Sequence, residues 1–469
     1  MDTIQTRYES QSEGAKYQRL AQALREAVIA GELVPGSKLP PVRDLAWALK
    51  ITPGTAARAY SLLTDDGTLK AEVGRGTFVA DPDVTKKRDR ERDRRWSRHI
   101  SPEDTNIVSL FAPKLPEMGQ VAMIHDSFAR LSERPPSDLL TYPGRASSAG
   151  AQTAALRWLA PAGLGPLSEQ DVALTHGSQN GIITIFQAIL TGSRPVVLVE
   201  ELSYPGFRRA AELMRAELVA VPMDADGVIP EALDRIAASH NAQLFCTCPD
   251  IHNPTCLTTP EYRRREIAEV ARRRGLHIIQ DESYTLSEPA APSYRALLPE
   301  LGWYVTSISK LLTPSLRVGF AVAPKQHRLA LRRAAEYGYF GLAQPLCYVL
   351  EDLLARPETQ DVIDDVRLEM RRYIEAAVNV LGGHDINWHP DIPYIWLNLP
   401  QGWRAAAFAR AAERQGVQLR TAEDFVPRDG FAPHAVRLAV NAQVSLNSFE
   451  EAVGRLRELL DNPPEAILT

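Results

Sequence analysis

Hydrophobic residues in the first 50 positions recur at the three- and four-residue spacing of amphipathic helices. One run predicts a helix over residues 17–30, which Gly31 ends and a Pro35-Gly36 turn follows. A second run predicts another helix directly after Pro40-Pro41. The apolar positions that carry the two patterns are Leu20, Leu24, Val28, Leu45, Ala46 and Leu49.

The next residues combine a helix start with a hairpin pattern. Thr52 suits an N-cap and Pro53 the first helical position, so we expect a third helix that runs to about Asp66. Beyond Gly67, apolar residues on both sides of a turn at 74–76 predict a β-hairpin. Three helices followed by a hairpin indicate a winged helix-turn-helix.

From about Asn106, short apolar runs alternate with helical patterns such as 261–274. This alternation predicts an α/β domain with a mainly parallel sheet. Its strand-like runs are 196–199, 218–221, 244–247, 277–280, 303–307 and 320–323. The tail, which we interpret as a smaller α+β subdomain, has strand and helix patterns at 394–399, 404–415, 435–440 and 448–460.

Length and composition indicate a globular protein of two or three domains, since the chain has 469 residues, 45% hydrophobic and 24% charged. We expect it to be cytoplasmic, without membrane contact. The beginning of the chain lacks a signal pattern, and no apolar run reaches the roughly 18 residues of a membrane span.

Charge is spread unevenly around the net value of -5. Residues 1–80 carry 10 Lys and Arg against 9 Asp and Glu, and residues 81–100 carry 8 against 5, so the remainder is acidic. A mildly basic N-terminal part is consistent with DNA contact in that part of the chain. The charged run at 86–95 has no apolar stripe and is interpreted as a solvated linker or exposed helix, with contact to DNA phosphates as the alternative.

Cys246 and Cys248 resemble half of a metal site, but no second pair of ligands completes it. They alternate along an apolar stretch, so we favour buried strand positions and expect no metal.

Hydroxyl and cationic side chains occur where a winged helix meets DNA. Thr52 and Thr55, at a helix start with free N–H groups, can bind phosphate oxygens. Arg43 and Arg58 can make paired hydrogen bonds to phosphate or guanine. For Arg43, the alternative is a surface ion pair with a neighbouring carboxylate, Asp44 or Glu32.

Residues 31–46, 55–60 and 74–79 resemble the GntR family of bacterial regulators. The resemblance implies that Arg43 reaches a double-stranded DNA operator and that the helix start enters the major groove. It also implies that Gly74 and Arg75, at the wing tip, approach the minor groove. Pro53-Gly54 departs from the Arg or Asn that is common after the Thr52 position, which removes two side-chain contacts.

Lys310 follows a predicted strand, with hydroxyl groups before it and Arg317 seven residues later. A Schiff base with pyridoxal 5'-phosphate (PLP) needs a lysine amine, and the phosphate needs hydroxyls, an arginine and a helix start. Asp281 ends another strand and can pair with a protonated pyridine nitrogen. Further polar groups follow strands in order, at Ser178, Gln179, Tyr204, Asn253 and Tyr284.

This constellation resembles the fold type I PLP-dependent aminotransferases over about residues 106–460. The resemblance implies that Lys310 forms the internal aldimine and Asp281 pairs with the pyridine nitrogen. It assigns the ring hydroxyl to Tyr284 and Asn253, and stacking to Tyr204. The phosphate ligands it implies are Ser178, Gln179, Ser307 and Arg317.

Arg437 matches the arginine that binds a substrate carboxylate in that family. The alternative role for Arg437 is an ion pair on an edge strand. Cys256 replaces the usual Gly after Asn-Pro-Thr, which is expected to tighten or reshape that turn.

A GntR-type winged helix joined to this fold resembles the MocR-like regulators. The layout expected is a DNA-binding domain at 1–80, a charged linker at 81–105 and a PLP-binding domain at 106–469, whose small subdomain covers roughly 355–469. The resemblance also implies a homodimer that is domain-swapped head-to-tail. Tyr142 is a candidate for a residue that one subunit contributes to the site of the other.

The function that this implies is a bacterial transcription regulator, nucleoid-associated when bound to DNA. It would sense a small amino compound, such as an amino acid, by external aldimine formation. Two alternatives remain open on the residues: an active aminotransferase that carries a DNA-binding domain, and a regulator that senses PLP itself.

Overall fold

A computed structural model of the chain separates into two compact units, Met1–Glu103 and Asp104–Thr469. The residues it describes are 2–10, 16–65, 68–72, 76–79, 107–133, 140, 142–143, 145–284, 289, 291–427 and 430–463. Each helix in this described part is too short or too polar to cross a bilayer.

The first unit is a winged helix, as predicted. Its elements are α1 (Asp2–Ser10), α2 (Lys16–Ile29), α3 (Val42–Ala48), α4 (Pro53–Asp65), β1 (Leu69–Glu72) and β2 (Gly76–Val79). The strands pair antiparallel, with Leu69 opposite Val79. The apolar stripes of the helices form one core around Leu20, Leu24 and Leu45.

Helix α1 precedes the three predicted helices and is stabilised by a contact that is distant in sequence. The guanidinium of Arg7 donates two hydrogen bonds to the carboxylate of Glu32, each of 2.7 Å. Ile4 and Tyr8 join the core. The predicted linker at 81–105 lies outside the described residues.

The second unit alternates strands and helices. Its elements up to the last strand of the large sheet are β3 (Val108–Ser109), α5 (Gln120–Glu133), α6 (Arg145–Leu159), β4 (Val172–Thr175), α7 (Ser178–Ile189), β5 (Val196–Glu200), α8 (Pro205–Leu213), β6 (Glu217–Val221), β7 (Met223–Asp224), β8 (Gly227–Val228), α9 (Pro230–His240), β9 (Leu244–Thr247), α10 (Glu261–Arg274), β10 (His277–Asp281), α11 (Tyr294–Leu297), β11 (Gly302–Ser307) and β12 (Gly319–Val322). The elements that follow are α12 (Arg328–Tyr339), α13 (Gln344–Ala355), α14 (Glu358–Leu381), β13 (Ile386–Asn387), β14 (Tyr394–Asn398), α15 (Ala405–Arg414), β15 (Val417–Gln418), β16 (Arg420–Thr421), β17 (Ala435–Ala439) and α16 (Leu446–Asp461). Short 3₁₀ helices lie at Ala160–Ala162, Glu169–Asp171, Lys325–His327 and Ala422–Phe425.

Seven strands form the large sheet in the order β4-β12-β11-β10-β9-β5-β6. The pairs from β11 to β6 are parallel, whereas β12 runs antiparallel to both of its neighbours. The mainly parallel α/β sheet is therefore confirmed. Apart from the edge strand β6, its strands are almost wholly buried, and this burial explains why they appear as continuous apolar runs in the sequence.

A four-stranded sheet, in the order β13-β14-β17-β16, forms the predicted smaller α+β part. Helices α14, α15 and α16 pack on it in one apolar core. Residues before the large sheet also belong to this core, because β3 pairs with β15 and Leu110 is fully buried in it. The local pattern of hydrophobic residues does not indicate this long-range pairing.

Candidate functional site

The parallel strands β5, β9, β10 and β11 end at one edge of the large sheet, where polar residues follow them. A cleft of about 680 Å³ opens there. Ligands of open α/β sheets bind outside the carboxyl ends of the strands, so this is the expected place for a site. All nine predicted cofactor-binding residues line it: Ser178, Gln179, Tyr204, Asn253, Asp281, Tyr284, Ser307, Lys310 and Arg317.

Asp281 is the last residue of β10, and it is buried in the lining of the cleft. Burial raises its pKa to about 6, against the opposing effects of a 2.6 Å hydrogen bond from the Ser283 hydroxyl and the positive charge of Lys310. The Lys310 ammonium lies 5.1 Å from the centroid of the Tyr284 ring. A carboxylate and a lysine amine thus line the same cleft. PLP requires both, because the carboxylate pairs with its pyridine nitrogen and the amine attaches to its aldehyde.

Other groups in the lining of the cleft can receive a phosphate. Helix α7 begins at Ser178, so its first N–H groups are free to bind an anion. The hydroxyl of Ser309, buried beside Lys310, has no hydrogen-bond partner among the described residues. A phosphate oxygen would satisfy these donors, so the residues present fit PLP. Ser309 was not among the predicted ligands, although its place directly before Lys310 is a usable signal.

Gly177 sets the distance between this helix start and Arg317. Its φ of 80° lies in the left-handed region, and a Cβ there would stand 2.5 Å from Nη2 of Arg317. The absence of a side chain therefore lets the guanidinium approach the start of α7.

Tyr204 and Gln179 are joined across the cleft. The Tyr204 hydroxyl donates to Oε1 of Gln179 over 3.2 Å, and Nε2 of Gln179 donates to the Gly206 carbonyl over 2.9 Å. Burial, with the negative charge of Asp281, raises the pKa of Tyr204, so the phenol stays neutral. This arrangement holds Tyr204 in one position at the cleft wall.

Arg437, on β17 of the small sheet, does not itself line the cleft but contacts Asn253, a residue of its lining. Its Nη1 donates to Oδ1 of Asn253 over 2.7 Å, and its Nη2 donates to the Phe111 carbonyl over 3.1 Å. The side chain is 3% exposed and has no carboxylate partner among the described residues. Strand β17 pairs with β14 and β16, so the alternative of an edge-strand ion pair is wrong.

The turn that carries Asn253 has an unusual backbone at Cys256. Its φ of 62° is left-handed, a conformation that favours glycine, and the thiol is buried. Burial raises the pKa of Cys256 to about 12, so the thiol stays protonated.

Cys246 lies on β9 as predicted, and Cys248 is buried just beyond the strand. Within the described ranges, no cluster of potential metal ligands is found.

Buried polar and charged groups hold the loop that carries Asn253, and sequence reasoning missed them. Nη2 of Arg264 lies 2.7 Å from Oδ1 of Asp250 and donates to the Pro249 carbonyl over 3.0 Å. Nε2 of His252 lies 3.2 Å from Oε2 of Glu200. Arg264 is fully buried. Its place on the apolar face of α10 was the available signal, since a charged residue there needs a buried partner.

In the first unit, Arg43 is exposed on α3 and makes no ion pair within the described residues. Glu32, one of its two suggested partners, is bonded to Arg7 instead. Thr52 caps α4, since its hydroxyl oxygen accepts the Thr55 N–H over 3.2 Å. The Arg58 guanidinium lies 4.2 Å from the Tyr17 ring centroid. Gly74 and Arg75 lie outside the described residues.

Two families match the two parts of the chain. Residues 16–79 match the bacterial regulatory proteins of the gntR family, and residues 129–456 match aminotransferase class I and II.

Two relatives named as transcriptional regulators match much of the chain. The HTH-type transcriptional regulator YdeF of Bacillus subtilis is 28% identical over 460 residues, 95% of this chain and 94% of its own. The pyridoxine biosynthesis regulator PdxR of Corynebacterium glutamicum is 25% identical, over 72% of this chain and 71% of its own.

Among solved structures, the α-aminoadipate aminotransferase LysN of Thermus thermophilus matches with a TM-score of 0.67 and 24% identity, over 76% of this chain and 92% of LysN. This likeness shows the fold. Together with the matched families, it means that the chain belongs to the class I and II aminotransferase family, in the MocR-like group of GntR regulators that join a DNA-binding winged helix to a PLP-binding domain.

Proposed function

We propose that this PLP-dependent regulator senses a small primary amine that carries a carboxylate, and that occupancy of the cleft changes its binding to DNA. The observation that carries the proposal is Arg437, a buried guanidinium without a carboxylate partner among the described residues. It is bonded to Asn253, which lines the cleft together with Lys310. An amine held at the Lys310 end could place its carboxylate on Arg437.

When bound, PLP supplies an aldehyde carbon that accepts an amine and a ring that withdraws electrons. Lys310 provides the amine of the protein, which an incoming amine would replace. Asp281 is placed to keep a proton on the ring nitrogen, and Asn253 and Tyr284 to bond the ring hydroxyl. The phosphate would be held by Ser178, Gln179, Ser307, Ser309 and Arg317, and Tyr204 would pack on the ring.

Regulation requires the amine to bind one state of the protein better than another. A sensor needs occupancy to shift that equilibrium by a few kcal/mol, and it needs no product release. Rapid turnover would destroy the signal, so we expect the amine to be consumed slowly.

The DNA contacts proposed for the first unit are Arg43, Thr52, Thr55, Arg58, Gly74 and Arg75. Exposure of Arg43, without an ion-pair partner in the described part of the chain, supports its role in phosphate or base contact. Arg58 is exposed beside Tyr17, and that contact orients its guanidinium.

We also propose a homodimer with head-to-tail exchange of the DNA-binding domains, in which Tyr142 belongs to the interface. Tyr142 is 79% exposed and stacks at 5.1 Å on Phe340, which is itself 61% exposed. Tyr337 is also exposed. Exposed apolar surface of this kind is typical of protein interfaces and supports the proposal. Light scattering of the purified protein would test the dimer.

The experiment for amine sensing is a titration of the PLP-loaded protein with amino acids and with the matching amines that lack a carboxylate, followed by visible absorbance. We expect amino acids to shift the band at lower concentration than the amines. Arg437→Gln should remove this preference. Equal responses to both sets would contradict the role of Arg437, and no response to any amine would contradict sensing.

A further inference from the structure

Arg420 lies directly opposite Arg437 on the antiparallel strands β16 and β17. Side chains at paired positions point to the same face of a sheet, and like charges placed there repel one another. The two guanidinium groups share an aromatic neighbour, since their Cζ atoms lie 5.9 Å and 4.9 Å from the Phe425 ring centroid. The Arg420 Cζ also lies 4.1 Å from the centroid of Phe111.

No carboxylate neutralises this pair at ion-pair distance among the described residues. Asp424 acts on Arg420 only from farther away, and Arg209 adds another positive charge nearby. Nε of Arg420 and Nε of Arg437 are both buried without a hydrogen-bond partner in the described part of the chain. Burial, and then the charge of Arg437, lower the pKa of Arg420. The fold thus keeps two cations close together at a cost in stability.

We propose that Arg420 is a specificity residue, and that the effector is an amine with two acidic groups, one for each guanidinium. This inference rests on the proposed function, which assigns one carboxylate to Arg437. The PLP phosphate would be bound elsewhere, beside Arg317. Arg420 and Arg437 would therefore remain available for acidic groups of the effector. A second carboxylate on the effector removes the repulsion and supplies acceptors for the unpartnered N–H groups.

The test uses PLP-loaded full-length protein and matched probes of three lengths. These are L-aspartate with L-asparagine, L-glutamate with L-glutamine, and L-2-aminoadipate with L-norleucine. Binding is followed by the visible absorbance band and, independently, by calorimetry. We expect at least one acidic probe to bind about tenfold more tightly than its neutral match. One charge-assisted hydrogen bond contributes enough binding free energy for a difference of this size.

In Arg420→Gln, this ratio should fall close to one, while the affinity for the neutral probes stays within about twofold. That unchanged affinity also shows that the variant folds and holds PLP. Arg414→Gln, which removes an exposed charge from α15, should keep the ratio of the parent.

A parent protein that binds neutral probes as tightly as acidic ones at all three lengths overturns the inference and leaves amine sensing in place. A ratio that survives in Arg420→Gln also overturns it. If no probe of either class binds, the proposed function fails and the inference falls with it.

Discussion

Nη1 of Arg437, on the small sheet, donates a hydrogen bond of 2.7 Å to Oδ1 of Asn253, in the loop after β9 of the large sheet. The contact links the group proposed to bind a carboxylate with the group proposed to bind the ring hydroxyl. A ligand carboxylate on Arg437 would compete for the same guanidinium, so occupancy can alter how the small sheet is held against the cleft. This is a physical route from ligand binding to a change of conformation.

Lys310 should carry PLP covalently. After borohydride reduction of PLP-saturated protein, mass spectrometry should find a phosphopyridoxyl group on the peptide that contains Lys310. Lys310→Ala should lose the adduct and the visible band, whereas Lys325→Ala, which changes an exposed lysine, should keep both. A stable adduct at another lysine would contradict the assignment.

Asp281 should make the PLP-free protein less stable as the pH rises. The folded state holds this proton up to a pKa of about 6, whereas an unfolded chain releases it near 3.8. The folded state therefore binds more protons between these values, and the free energy of unfolding falls through that window. Asp281→Asn removes the buried charge and should raise stability by about 3 kcal/mol near pH 8.

Urea unfolding of the PLP-free proteins measures this effect. The gain from Asp281→Asn should be about 1 kcal/mol smaller near pH 5 than near pH 8. Asp365→Asn, at an exposed position of α14, should show no such difference. PLP binding should weaken in Asp281→Asn, because an amide cannot pair with a protonated ring nitrogen as a carboxylate does. A gain that is independent of pH would argue against a buried ionised carboxylate.

Arg264 and Arg265 are neighbours on α10, and their substitutions should destabilise the protein to different extents. Arg264→Ala leaves Asp250 buried without its cation, which should cost about 3–5 kcal/mol and disturb the loop that carries Asn253. Arg265 is 59% exposed and pairs with Glu261 on the same helix, so Arg265→Ala should cost less than about 1 kcal/mol. Chemical denaturation compares the two, and equal losses would be inconsistent with this interpretation.

Arg43→Ala should weaken DNA binding and make its salt dependence shallower by about one unit of log–log slope, as loss of one phosphate contact predicts. Fluorescence anisotropy with a DNA fragment selected by the protein, at several salt concentrations, provides the measurement. Arg414→Ala removes the same charge from the other compact unit and should bind as the parent does. If Arg43→Ala also matches the parent at every salt concentration, Arg43 is not a DNA contact.

The cleft was predictable because each chemical group follows a buried strand. The apolar runs of β5, β9, β10 and β11 placed Tyr204, Asn253, Asp281 and Lys310 at one edge before any contact was known. Local pattern and site chemistry agree there, as the fold requires.

Features that depend on distant partners were not predictable. Helix α1 is stabilised by Arg7 bonded to Glu32, 25 residues away in the chain. Strand β3 joins the small sheet through β15, and Arg420 meets Arg437 only through the register of β16 and β17. Such pairings are set by tertiary packing, which local periodicity does not report.

The central claim, that this is a regulator and not an efficient transaminase, is tested by measuring DNA affinity and amine consumption in the same sample. PLP-loaded protein is titrated with the amino acid that shifts its visible band most, in the presence of labelled DNA and a keto acid. We expect the amino acid to change DNA affinity or bending while it is consumed at well below about one turnover per second. Turnover at the roughly 1–1,000 per second typical of enzymes, with unchanged DNA binding for every amine tested, would contradict the account.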